Sequence, residues 1–223
     1  MRGLGLRRGL ALALALLAAG ASSTLAQQKP PISREQAVQD IAKPGDTEAR
    51  RQAAAWLGEL GRMEDAAALV GALRDADELV RALAEHSLWQ VWSRSGDTEI
   101  DTLFQLGVEQ MNQRAGPAAI ETFSAIIGKK PEFAEGWNKR ATVYYLMGEY
   151  QKSLRDCDEV MKRNPHHFGA LAGYGQIYLQ LDQPERALDY FQQALKVNPN
   201  LRGVESAVEQ LRQLMIQKRK GTI

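Results

Sequence analysis

Val80, Leu83, Ala84, Ser87, Leu88 and Val91 recur at the three- and four-residue steps that lay one apolar stripe along a helix. Val204, Val208, Leu211 and Met215 make a second such stripe near the end of the chain, with the other faces polar and charged. Between the two, the pattern acquires a longer period. Pro131, Pro165 and Pro199 are spaced by 34 residues, and so are Gly107, Ala141 and Gly175. The columns Phe123, Cys157, Phe191 and Ala119, Ser153, Ala187 keep the same step. Four columns in phase predict an array of helix pairs.

Within each period the order of residue types is the same. The first copy runs Leu103-x-x-Leu106-Gly107-x-x-Gln110, then Ala119-x-x-x-Phe123, then Pro131. The second runs Trp137-x-x-Arg140-Ala141-x-x-Tyr144, Ser153-x-x-x-Cys157 and Pro165; the third runs Leu171-x-x-Tyr174-Gly175-x-x-Tyr178, Ala187-x-x-x-Phe191 and Pro199. This resembles three tandem tetratricopeptide repeats (100–133, 134–167 and 168–200) over nearly half the chain. The resemblance implies that the small column lets paired helices approach and the aromatics fill the space between hairpins. Gly116-Pro117, Gly148 and Pro184 should mark the turn within each pair, and each closing proline should stop a second helix. Departures are Gln110 for an aromatic, Arg140 for a large apolar residue and Cys157 for phenylalanine, which makes Cys157 a buried small hydrophobe.

Upstream, Arg50-x-x-Ala53-x-x-x-Leu57 recurs as Arg81-x-x-Ala84-x-x-x-Leu88. Helix, turn, helix, aspartate-rich turn and helix over 46–96 resembles a short HEAT-like repeat. Ser33 is an expected N-cap with Gln36 completing a capping box, in a helix ending before Pro44-Gly45. Trp89 and Trp92 leave the buried stripe of the last HEAT-like helix. They are expected to dock the first helix of the following array, the alternative being an exposed aromatic binding patch. Residues 201–223 should form a capping helix over the last repeat. The fold class expected is thus all-α, a right-handed helical-repeat solenoid.

The leader differs from all of this. Arg2, Arg7 and Arg8 precede an unbroken Leu/Ala run from Leu10 to Ala19, about half the length of a spanning helix. Residues 1–26 are expected to be a cleavable signal peptide, cut after Ala26 or after Ala21. An uncleaved leader would leave a membrane anchor. Residues 27–45 follow as linker and short helix, and the localisation implied is periplasmic or secreted. Lysines and arginines number 28 against 27 acidic residues, and three of the arginines lie in the leader. That balance gives no reason to expect nucleic acid. The single cysteine excludes an internal disulfide and a CxxC site.

No catalytic, cofactor or metal site emerges. Of the three histidines, His166 and His167 are expected as solvated loop residues. Every glycine fits a packing or turn position, and no phosphate-cradling loop is present. The resemblance implies instead that the first helices of the pairs line an inner face that holds a peptide or helix of a protein partner. Carried over by position, that face comprises Phe104, Met111, Asn138, Thr142, Tyr145, Gln176, Leu179 and Gln180, with Val108 and Leu146 beside them and Asp101 and Glu135 at one rim. One tetratricopeptide subset clamps a terminal carboxylate with basic residues and asparagines. Its positions here hold Phe104, Val108, Lys139, Gly169 and Gly173, of which only Lys139 is basic, so that clamp is not expected. The function implied is a non-enzymatic adaptor or scaffold without a small-molecule substrate, the alternative being a chaperone holding several clients.

Overall fold

The computed structural model describes residues 32–221, and among them every regular element is a helix or helical turn. The expected leader (residues 1–26) lies outside the described residues. Four helices come first: α1 (Arg34–Asp40), α2 (Thr47–Leu60), α3 (Ala66–Ala72) and α4 (Glu78–Trp92). Three hairpins follow. Their first helices are α5 (Thr98–Asn112), α7 (Ala134–Leu146) and α9 (Phe168–Gln180). Their second helices are α6 (Gly116–Lys129), α8 (Tyr150–Arg163) and α10 (Pro184–Val197), and α11 (Arg202–Gly221) closes the chain. Among the described residues no helix is long and apolar enough to cross a membrane.

Local chemistry accounts for the ends of these helices. Ser33 accepts the backbone N–H of Gln36, while the Gln36 side chain turns to Asp40 instead of completing a box. Asp46, Asp77 and Asp97 cap α2, α4 and α5 through their carboxylates. Helices α6, α8 and α10 each end two residues before Pro131, Pro165 and Pro199, because proline disfavours helical geometry in its predecessor. Asp75 and Asp77, in the turn before α4, take bidentate bonds from Arg50 and Arg51 of α2. That pairing explains why the turn is acidic.

The small column works by contact. A Cβ on Gly107 would stand 2.7 Å from the Phe123 ring, and one on Gly175 would stand still closer to Phe191. Phe123 and Phe191 have no exposed surface. The irregular second repeat closes differently. Arg140 donates two 2.8 Å bonds to Asp156 on α8 and a third to Ser124 on α6, so a bidentate ion pair stands where a large apolar side chain was expected. Val208 and Leu211 of α11 are buried over the last hairpin, with Val204 packed beside them.

Helix α4 crosses the array at the loops that join its repeats. Arg81 donates to Asn200, and Asn198 donates to Glu85, so the loop after α10 meets the start of α4. Trp89 and Trp92 meet the loop after α8: Trp92 stacks on His167 at 4.6 Å between centroids, and both tryptophans pack on Phe168. The expectation that these tryptophans dock the first helix of the array is therefore corrected, because the helix they touch is α9 of the third repeat. Val91 and Trp92 also face the loop after α6, around Phe133. The aromatic pair is thus covered by this chain itself. The cost of lying across three loops is that their polar groups must be satisfied in a buried place.

His167 carries that burden at the middle loop. It is fully buried, not solvated as expected, because Trp92 covers it. Its Nδ1 accepts the Ala170 N–H and caps α9, which leaves Nε2 to donate to Glu135 of α7. Glu135 also has no exposure, so it is not the rim residue expected. Its oxygens take the Asn138 amide at 3.0 and 3.2 Å, with Lys139 Nζ 3.6 Å away. Burial alone would raise the Glu135 carboxyl, but His167, Lys139 and Asn138 outweigh it and hold it below the usual carboxylate range.

Two outcomes follow from this packing. Gly175→Ala should lower unfolding stability by about 1–3 kcal/mol through overpacking against Phe191, measurable by urea titration; an unchanged midpoint would show that the ring yields freely. The depressed Glu135 carboxyl gives stability that is complete above its unfolded value of about 4.3 and is lost as pH falls through the folded value. Glu135→Gln should therefore be less stable than the parent at pH 7, with the gap closing below about pH 4. Parallel stability curves down to low pH would contradict the depressed carboxyl.

Candidate binding groove

Between α7 and α9 lies a groove of about 130 Å³. Asn138, Thr142 and Tyr145 line it from α7, and Gly169, Gly173 and Gln176 from α9, with Ser153 and Cys157 of α8 beneath. The three α7 residues fall at steps of four and three, so they share one face of the helix. The α9 residues repeat that spacing. The two glycines on this face act differently. A Cβ on Gly173 would meet only Cys157 Sγ, at 3.9 Å, so the space above it is free. A Cβ on Gly169 would come within 2.5 Å of the Trp89 ring. Trp89 therefore closes one end of the groove, and Lys139 stands 5.9 Å from its ring centroid.

The groove offers more hydrogen-bonding capacity than charge. The Thr142 hydroxyl donates to the Asn138 carbonyl, one turn back, at 2.9 Å. The Asn138 amide is already committed to Glu135, which leaves its own orientation fixed. Gln176 and Gln180 are exposed, and Gln180 accepts from the Tyr150 hydroxyl at 3.4 Å. Tyr145 leans on Tyr150 at 5.9 Å between ring centroids. On the floor, burial pushes the Cys157 thiol up to about 12, with Asp156 and Asp158 adding to the effect. A thiol so held stays protonated and inert, in line with the small hydrophobe expected there. Among the described residues no cluster of histidine, cysteine, aspartate and glutamate is arranged to hold a metal.

Four of the eight residues expected on the inner face, Asn138, Thr142, Tyr145 and Gln176, come together in this groove. Leu179 is half-buried against the core of the third repeat, and Gln180 lies one turn beyond Gln176. Phe104 does not reach the face: it is 3% exposed and packs edge-on against Phe123 and Phe133. Met111 and Val108 pack against the same first-repeat core. The reason is that α5 turns Phe104, Val108 and Met111 into the core of its own hairpin, while Leu106 stays exposed. Sequence reasoning missed Trp89 and His167 as parts of the site. The paired glycines at Gly169 and Gly173 were the available signal, since only a close neighbour or an open space calls for two glycines one turn apart.

Comparisons with known proteins bear on the fold of the helix pairs. Residues 132–200 match the family model for the tetratricopeptide repeat. Over 120 residues the chain is 33% identical to a TPR repeat-containing protein of Rhizobium etli, covering 54% of this chain and 59% of that relative. The chain therefore spans about three fifths of that relative's length. The first TPR of Spaghetti bound to the HSP90 peptide SRMEEVD superposes with a TM-score of 0.51 at 18% identity, covering 54% of this chain and 96% of that one. The Sgt2 TPR domain from Aspergillus fumigatus gives 0.53 at 16% identity, covering 57% and 85%. At such identities the structural likeness is one of fold. With the 34-residue columns, the closing prolines and the hairpin packing, it leads to one conclusion: over residues 132–200 the helix pairs match the tetratricopeptide repeat model and share its fold.

Proposed function

We propose that this protein is a non-enzymatic adaptor, exported by its leader, that holds an extended or helical segment of another envelope protein between α7 and α9. The observation that carries the reading is the groove itself, walled by Asn138, Thr142, Tyr145 and Gln176 and kept open above Gly173. Apolar anchors set between amide and hydroxyl groups suit a peptide whose backbone also needs partners. The peptide-bound Spaghetti repeat is a precedent for the fold in that role. A basic carboxylate clamp has no counterpart in this groove, since Phe104 is buried and Gly169 and Gly173 carry no side chain. In this reading the HEAT-like helices α2–α4 serve as a brace whose Trp89 bounds the groove. The alternative is a periplasmic chaperone, which would take many clients through the same surface; the small volume and fixed amides favour one defined segment.

Gly173→Leu should fill the groove without a backbone clash, and Tyr145→Ala with Gln176→Ala should strip its walls. Both variants should stay fully helical by circular dichroism and lose the partner that the parent protein captures from an envelope extract. Capture of the same partner by all three would place binding elsewhere, and capture of many unrelated proteins would favour the chaperone. Export has its own check. N-terminal sequencing of the protein from its native envelope should begin at Gln27 or Ser22, and an intact Met1 would leave the leader as an anchor.

A further inference from the structure

A second cavity, of about 180 Å³, lies on the loop edge of the array, where the end of α4 meets the loops after α6 and α8. Two buried donors line it without an acceptor among the described residues: the Trp92 indole Nε1 and the Asn164 amide Nδ2. Trp92 is 3% exposed and Asn164 2%. An unmade bond of this kind is costly in a buried place unless something else fills it. Both groups can only donate, so whatever satisfies them must accept.

The repeat supplies an internal control. Asn198 stands 34 residues after Asn164, at the same place in the next loop. Both side chains fold back in the same way, accepting the N–H two residues on through Oδ1. Their amides then differ. Asn198 Nδ2 donates to the Glu85 carboxylate of α4 at 3.0 Å. At the Asn164 loop α4 presents Trp92, another donor, where an acceptor is needed. The same contrast appears at the helix starts. His167 caps α9 with its ring nitrogen, but its counterpart Phe133 gives α7 no side-chain cap. The first turn of α7 therefore brings an uncapped, positive helix end to the cavity wall at Ala134. Lys130, Arg94 and Arg163 line the cavity as well: Lys130 sits 3.7 Å from Glu132, Arg163 pairs with Glu159, and Arg94 meets only the backbone carbonyls of Gly58, Glu59 and Gly61, so the cations outnumber the carboxylates by one.

We infer that this cavity binds a carboxylate from outside the described fold, which takes at the Asn164 loop the part that Glu85 plays at the Asn198 loop. The volume admits a small organic acid or the last residue of a peptide, being about six times the share of one water in the liquid. The charge of the walls and the two orphaned donors select an anion over a neutral amide. This site lies on the loop edge and makes no use of the α7–α9 groove, so it stands or falls independently of the proposed adaptor role.

The indole N–H resonances of the protein's four tryptophans report the site directly. Titration with succinate should shift the Trp92 signal saturably, with Trp92→Phe serving to assign it. The tripeptide Gly-Gly-Ala with a free C-terminus should do the same, while its C-terminal amide should not. Tighter binding of the tripeptide acid than of succinate would identify a chain terminus as the natural source, and the reverse a free acid. Trp92→Phe retains an aromatic ring beside His167, so the variant should fold, with some stability lost to the smaller ring, and calorimetric titration should show it binding the acid roughly tenfold more weakly. Lys130→Gln, on the surface side, should weaken it in the same direction. No saturable shift up to roughly 20 mM succinate, equal binding of the amide, or unchanged affinity in Trp92→Phe would each overturn the assignment.

Discussion

The contact between Trp92 and the buried His167 is the one on which the rest of the arrangement depends. A histidine with no exposure can remain in the fold only if both ring nitrogens are satisfied. Here one nitrogen caps α9 and the other reaches Glu135 on α7. Glu135 in turn is tolerable because the Asn138 amide donates to it and the Lys139 ammonium offsets its charge. One polar chain therefore fixes α7 against α9, and the tryptophan that covers it comes from α4. The two walls of the groove are set at their distance by groups that do not themselves line its open part.

This explains why the groove is narrow and polar in the way it is. Asn138 belongs to both systems: its amide serves Glu135 while its side chain forms part of the groove wall. Trp89, one turn before Trp92, lies over Gly169 and closes the same end. Helix α4 thus shapes the binding surface without joining the repeat stack. At the third loop, where Glu85 and Arg81 meet Asn198 and Asn200, the fit between α4 and the array is complete. At the second it leaves two donors over, and a protein that buries donors beside cations is suited to an anion.

Repetition makes these differences interpretable. The three loops have the same backbone course, so the side chains at Lys130, Asn164 and Asn198, and at Phe133, His167 and Leu201, can be compared as equivalent positions. Several residues that depart from their columns have a partner suited to the change. Arg140 comes with Asp156, and His167 comes with Glu135. Gly169 comes with Trp89. Such pairs are the places where a generic repeat has been adapted to one structure.

The sequence by itself determined the helices, their pairing and the turns between them. Proline, glycine and aromatic columns act through neighbours in the same hairpin, and a period of 34 carries that local information three times over. Gly107, Gly175, Phe123, Phe191 and Cys157 were legible for that reason, as were Asn138, Thr142, Tyr145 and Gln176 on the inner face. What only the tertiary structure decided is where α4 goes. Its aromatic face is visible in the sequence, but a stripe does not say which surface will cover it. The burial of Glu135 and His167, the closing of the groove by Trp89 and the two donors left at Trp92 and Asn164 all follow from contacts between residues far apart in the chain. Such contacts have no period, and no local pattern announces them.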